Sequence, residues 1–272
     1  MHNSSLLRYK NNYFSFILLL FVLVLCALPS ALKAQKSQAL SGKELAQKVH
    51  DRYVGDNSIA KVKMQLISED GYVRKRRLTV ITQHKNGLRN SFIRFTEPAD
   101  IAGTGFLALE NKDGETDQFL YLPALNRTRR IVSSQKGRSF VNTDFTYEDM
   151  QRRDIEEFSH SITGQESISG LDCWILESKP LSASDSEYYL VKSWVPKDIF
   201  LPVKTHYFDK NEKHIKTYTV NSLKRVQEIW TPLKVKMKDL QDEHATTMHT
   251  TQIKYNTDVK DSFFTKRYLE RW

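Results

Sequence analysis

Alternation is the feature that most limits what this chain can become. From Ser58 onward, apolar and polar residues trade places with a period of two. Ala60, Val62, Met64 and Leu66 alternate with Lys61, Lys63 and Gln65. That period fits a strand, whose successive side chains point to opposite faces, and not a helix. The turn Glu69-Asp70-Gly71 sends the chain back through residues 72–83. Asn86-Gly87, a pair suited to a tight hairpin turn, sends it back again through residues 88–95. Strand-like stretches recur at 105–110, 118–122, 158–162, 172–178, 188–195, 200–208, 213–220, 231–240 and 246–255. About a dozen strands joined by short turns predict a mainly β fold built on a single antiparallel sheet. So many strands must curl or close to manage their edges. A strongly curved sheet then leaves a concave apolar face that one helix cannot fill.

One helix is predicted before the strands, over residues 41–53, and a short one of one or two turns in mid-chain, over residues 148–154, as part of the lid. Ser41 and Glu44 have the spacing of a capping box, Leu45, Val49 and Tyr53 recur every four residues, and Gly55 is placed to stop the helix. Ahead of it lies a different kind of segment. Arg8 and Lys10 precede thirteen apolar residues, Phe16 to Leu28, followed by Pro29, Ser30 and Ala31. This is the layout of a secretory signal peptide, and the run is shorter than the roughly 20 residues of a membrane span. The expected division is 1–34 as signal peptide and 35–272 as one mature domain, with cleavage after Ala34 or after Ala31. Cys26 sits inside the apolar run after Leu25, a poor context for lipidation. Cys173 is then the one mature cysteine, without an internal disulfide partner and placed as a small buried hydrophobe. Removing 1–34 lowers the formal net charge of +9 by three. Export argues against a nucleic-acid partner, and the remaining positive charge suits anionic head groups, an acidic partner or simple solubility.

Residues 74–77, Arg-Lys-Arg-Arg, interrupt the alternation. Either at least one of them shares a face with Leu78 and Val80, or the strand begins after them with its charges in water, which is the favoured reading. A second polar stretch is more informative. In Gln118 to Met150, QFLYLPALNRTRRIVSSQKGRSFVNTDFTYEDM, a short strand ends at Pro123. Arg127, Arg129 and Arg130 follow, then a polar loop, then Phe140, Phe145 and Tyr147 interleaved with Asp144, Glu148 and Asp149. Three guanidiniums and three carboxylates could form a network that pins an aromatic-bearing loop as a lid or rim over a cavity. Composition allows equally a solvated loop with weak surface pairs.

FLYLPALNRTRRI with the KGRSF…DFTYEDM block resembles the outer membrane lipoprotein-sorting protein family, relatives of LolA-like periplasmic carriers. The stretch FTEPADIAGTGFLALE from Phe95 to Glu110 and the C-terminal SFFTKRYLERW carry the same resemblance. It covers nearly all of the chain after residue 40. One departure is that Asn142 and Thr143 stand where the family usually has Gly-Ser, although Asn tolerates positive φ well. The resemblance implies an open half-barrel with helices acting as a lid over a hydrophobic cavity. It implies an exported, monomeric carrier in the periplasm that takes acyl chains of lipoproteins or another lipid. An inner-membrane transporter would be the donor and an outer-membrane protein the acceptor.

Val62, Met64, Leu66, Leu78, Val80, Ile93, Phe95, Leu107, Leu109 and Leu120 are the inner-face candidates. Their pattern fits a filled core as well as a cavity, and only the resemblance favours the cavity. Catalytic constellations are weak, with no G-x-S-x-G, no H-E-x-x-H and no glycine-rich phosphate loop. His244 and His249 are poorly spaced for a metal, so no metal, cofactor or enzymatic activity is expected. Asp144, Glu148 and Asp149 suit ion pairing better than acid–base work. A different class of function is an accessory subunit docking on an envelope transporter or export complex, with no carried lipid. A hydrolase would lack a nucleophile and a base. The tail after Asp261, with Phe263, Phe264, Tyr268, Leu269 and Trp272, is too apolar to hang free and is expected to dock on the body.

Overall fold

The structure, a computed structural model, describes residues 40–181 and 185–271. The expected signal peptide, with Cys26 and both cleavage sites, lies outside the described residues, as does Trp272. Thirteen strands form one antiparallel sheet in the order β6-β5-β4-β3-β2-β1-β13-β12-β11-β10-β9-β8-β7. They are β1 (Asn57–Ile67), β2 (Val73–Lys85), β3 (Leu88–Glu97), β4 (Gly105–Glu110), β5 (Thr116–Leu122), β6 (Arg127–Ile131), β7 (Phe158–Ile168), β8 (Leu171–Pro180), β9 (Leu190–Pro196), β10 (Lys204–Phe208), β11 (His214–Val226), β12 (Ile229–Asp239) and β13 (Ala245–Tyr255). Every neighbour in sequence is a neighbour in the sheet except one pair. β6 and β7 are the two opposite edges. The sheet is therefore a curved, open half-barrel, and the chain between its edges, residues 132–157, must cross from one side to the other.

The hairpins follow the turn chemistry. Asn86 and Gly87 both take positive φ, 55° and 79°, as a two-residue hairpin turn demands. β2 is paired in the sheet from its first residue, not outside it as expected. Val73 already pairs with Ile67, so Arg74, Lys75, Arg76 and Arg77 lie within the ladder and not ahead of it. Alternation puts Arg76 on the face of Leu78, where its Nη1 donates to Val141 O at 2.7 Å. β10 begins later than expected, at Lys204, because Phe200 adopts φ 53° and Pro202 cannot donate to a ladder.

The predicted helix is present as α1 (Gly42–His50), with the reciprocal Ser41–Glu44 capping box. It ends one turn early, so Tyr53 falls off the apolar stripe and is 59% exposed. Leu45 and Ala46 pack on Leu176 and Val195. Gly42 permits the approach, since a Cβ there would stand 2.4 Å from His160 O of β7. The mid-chain turn expected at 148–154 forms as a 3-10 helix, Glu148–Met150, and the other α-helix among the described residues, α2 (Lys266–Leu269), lies in the docked tail. There Phe264 and Leu269 join Ile81, Phe92, Leu107, Phe119 and Tyr121 on the outer face of the sheet. Arg94 donates to the carbonyls of Gly103, Tyr268 and Leu269 and ties the tail down. Cys173 is fully buried, as expected.

Candidate functional site: a hollow under the edge-to-edge segment

Period-two alternation sorts the sheet residues into an outer set, under the tail, and an inner set. The inner cluster holds Ala60, Val62, Met64, Leu66, Leu78, Ile93, Phe95, Phe106, Ala108, Leu120 and Ile131. Residues 132–157 lie across it. Phe140 stacks edge-on against Phe106 and Tyr147, with ring centroids 5.1 and 5.8 Å apart. Gln118 Nε2 donates to Tyr147 O at 2.8 Å from the inner side of β5. The backbone turns sharply at Val141 and Asn142, with φ 49° and 58°. Asn142 thus adopts a conformation that Asn bears more easily than most other side-chain-bearing residues.

The carboxylates of this segment are latches. Asp144 accepts from Thr246 Oγ1 at 2.6 Å and lies 2.9 Å from His244 Nδ1, which anchors the segment to β13. Glu148 accepts from Ser186 Oγ at 2.6 Å and from the Glu187 N–H at 3.0 Å. Asp149 accepts from Tyr188 Oη at 3.0 Å and from the Thr146 N–H at 2.9 Å. Burial pushes the Tyr188 hydroxyl well above its usual range, with Asp149 adding to the effect, so Tyr188 acts as a donor.

Between this segment and the sheet remains a hollow of about 620 Å³. Val62, Met64, Leu78, Val80 and Ile93 wall it on one side, with Phe140, Phe145 and Asp149 from the crossing segment. Leu66, Phe95 and Leu120 belong to the same inner cluster without reaching the hollow. Leu107 and Leu109 do not belong to it. They face the tail on the outer side, and Phe106 and Ala108 take the inner positions. A one-residue error in strand parity moves every side chain to the other face, and this short apolar run carries no polar residue to set the parity.

The expected network of Arg127, Arg129 and Arg130 with Asp144, Glu148 and Asp149 does not form. The three arginines stand on edge strand β6, exposed, and alternation divides them between two faces. Arg130 pairs with Asp117. Phe140, Phe145 and Tyr147, on the crossing segment, are buried. The cations at the hollow are others. Arg52, Arg89 and Arg153 line it and also line an adjoining vestibule of about 460 Å³, which Arg152 and His84 enter too. The sequence carried a signal for one of these, because Arg89 has the parity of Ser91 and Ile93. Arg152 and Arg153 directly follow the central motif.

Among the described residues no group of three or more His, Cys, Asp and Glu side chains could hold a metal ion. None of the described helices is long and apolar enough to cross a membrane.

Comparison with known proteins places the fold. A family model for an uncharacterized, DUF1329-like protein matches residues 87–271. A DUF1329 family protein of Desulfovibrio piger superposes with TM-score 0.79 at 28% identity, covering 84% of this chain and 97% of its own. An outer membrane lipoprotein-sorting protein domain of Vibrio parahaemolyticus gives TM-score 0.79 at 29% identity, covering 85% and 98%. A LolA superfamily protein of Nitrosomonas europaea shares the fold, with TM-score 0.66, 21% identity and coverage of 85% and 100%. No curated protein matches the chain. The outer membrane lipoprotein-sorting and LolA superfamily proteins are the kind that the motif from Gln118 to Met150 resembles.

Proposed function

This chain belongs to the DUF1329-like family, and from that footing we propose that it is an exported carrier that shelters acyl chains of lipoproteins or other lipids and passes them between envelope membranes. On this reading residues 1–34 are a cleaved signal peptide and the mature protein works in the periplasm. An inner-membrane transporter loads it and an outer-membrane protein unloads it. The observation that supports it is the hollow of about 620 Å³ between the inner face and the crossing segment. That size suits a lipid-sized ligand. Carriage needs no catalyst. Each methylene taken from water is worth roughly 0.8 kcal/mol, so a twelve-carbon chain gains on the order of 10 kcal/mol before ordering costs. The polar latches at Asp144, Glu148 and Asp149 let the segment lift, where a wholly apolar seal would not.

The test is native mass spectrometry of the mature protein from its envelope fraction, followed by extraction of what is bound. A co-purifying acylated molecule is expected, and it should be lost in Val80→Trp, which fills the hollow, in protein that still folds. A lipid-free mass across preparations, together with a stable protein partner, would replace the carrier with an accessory subunit of a transport complex.

A further inference from the structure

Four arginines, Arg52, Arg89, Arg152 and Arg153, line the vestibule beside the hollow against two carboxylates, Asp149 and Asp154. Arg52 follows α1, Arg89 opens β3, and Arg152 follows the crossing segment's last turn, with His84 of β2 among them. Arg152 is matched by Glu110, on which its Nε donates at 3.0 Å. Among the described residues Arg52 makes one side-chain hydrogen bond, from Nη1 to Trp230 O at 3.2 Å. Arg89 has no ion pair among the described residues, and its backbone, not its guanidinium, meets Glu110. Burial lowers the proton affinity of Arg89, with Arg152 and Arg52 acting in the same direction. The same surroundings, burial first and then Arg89 and Arg152, bring His84 down to about 4. Gln151 Oε1 and Arg153 Nε, on side chains that line this space, are buried without a hydrogen-bond partner among the described residues. Glu110 answers Arg152, and Asp149, with Asp154 nearby in the same wall, answers Arg153. Arg52 and Arg89 are thus the half-buried guanidiniums left without a carboxylate partner among the described residues, a costly arrangement unless an anion joins them. Their planar forks suit phosphate and carboxylate oxygens.

We propose that the cargo is an anionic amphiphile, with its chain in the apolar hollow and its phosphate or carboxylate head group held in the vestibule by Arg52 and Arg89. This rests on the carrier reading and narrows it to a substrate class. The two spaces adjoin, sharing Arg52, Arg89, Arg153 and Tyr207 in their walls, so one molecule can occupy both.

The experiment is calorimetric titration of the purified protein, at pH 8 and below micelle-forming concentrations. The probes are dodecyl phosphate, dodecanoate, the neutral dodecyl glycerol ether and inorganic phosphate. The anionic amphiphiles should bind about tenfold or more tighter than the neutral ether. Arg89→Gln and Arg52→Gln should each erase that ratio while leaving the affinity for the ether unchanged, and Arg89→Lys should keep part of it. Because these guanidiniums are poorly compensated, their removal should leave the melting temperature unchanged or higher. The better of the two anionic probes identifies the head group. Equal binding of neutral and anionic amphiphiles overturns the head-group site and leaves the carrier standing. Absence of binding by any amphiphile overturns both. Inorganic phosphate binding as tightly as dodecyl phosphate would make this a free-anion site and overturn the coupled chain-and-head-group reading.

Discussion

Two segments lie on the two faces of the sheet, and they cover them in different ways. The C-terminal tail, residues 261–271, seals the outer face chiefly with apolar contacts, to which Arg94 adds hydrogen bonds on the Tyr268 and Leu269 carbonyls. Phe264 and Leu269 sit among Ile81, Phe92, Leu107 and Phe119, and Gly105 lacks the Cβ that would stand 2.7 Å from Leu269 Cδ1. The crossing segment, residues 132–157, is fixed at its aromatic end by Phe140 and Tyr147 and elsewhere by carboxylates on hydroxyls and a histidine. It leaves a hollow of about 620 Å³. Apolar contact without gaps holds a face shut. Directional polar contacts, each worth about 1–3 kcal/mol net, hold a cover that can be lifted one latch at a time. The tail is built for stability and the crossing segment for access.

The strongest way to break this contrast is through the tail. Leu269 is fully buried, and Leu269→Ala should cost about 2–5 kcal/mol, the range for a large-to-small change at a packed site. The melting temperature should fall accordingly, while chain binding measured well below it stays intact. A loss of binding without a loss of stability would mean that the outer face, and not the inner one, faces the cargo.

The crossing segment should respond in the opposite manner. Asp144→Ala removes the acceptor for Thr246 Oγ1 and His244 Nδ1, leaving a fully buried threonine hydroxyl without that partner, at about 2 kcal/mol. The expected signature is faster proteolysis within residues 132–157 and faster exchange of bound chain, with a smaller shift in melting than Leu269→Ala produces. Equal effects on global melting and on local cleavage would show that the segment unfolds only with the sheet.

Most of this architecture was legible in the sequence. The capping box at Ser41 and Glu44, the Asn86-Gly87 turn and the alternation of β1 each carry a local physical cause, and each element formed as that cause dictates. The apolar tail docked because it could not stay in water. The failures share a different origin. Arg127, Arg129 and Arg130 have the charge of a lid, and β6, with four polar residues in five, has no apolar alternation by which a strand announces itself. Leu107 and Leu109 read as inner because the run Phe106 to Leu109 is apolar on both faces, which hides the parity. The cations that reach the hollow, Arg52, Arg89 and Arg153, come from three distant places in the chain. What unites them is the strand order, a long-range property that no local pattern states.

The smallest expected effect sharpens the comparison from the edge of the sheet. Arg130 is 65% exposed at its side chain, and its partner Asp117 lies on the adjacent strand and not on the crossing segment. Exposed pairs of this kind contribute little, so Arg130→Glu should change stability by about 1 kcal/mol or less. Cleavage within residues 132–157 should proceed at the unaltered rate. Charge on β6 then serves the exposed edge, where it discourages pairing with another chain. A variant that opened the crossing segment would place Arg130 in the latch after all. It would also mean that the cover is held from its two ends, by β6 as well as by β13, instead of chiefly through Asp144 on the β13 side.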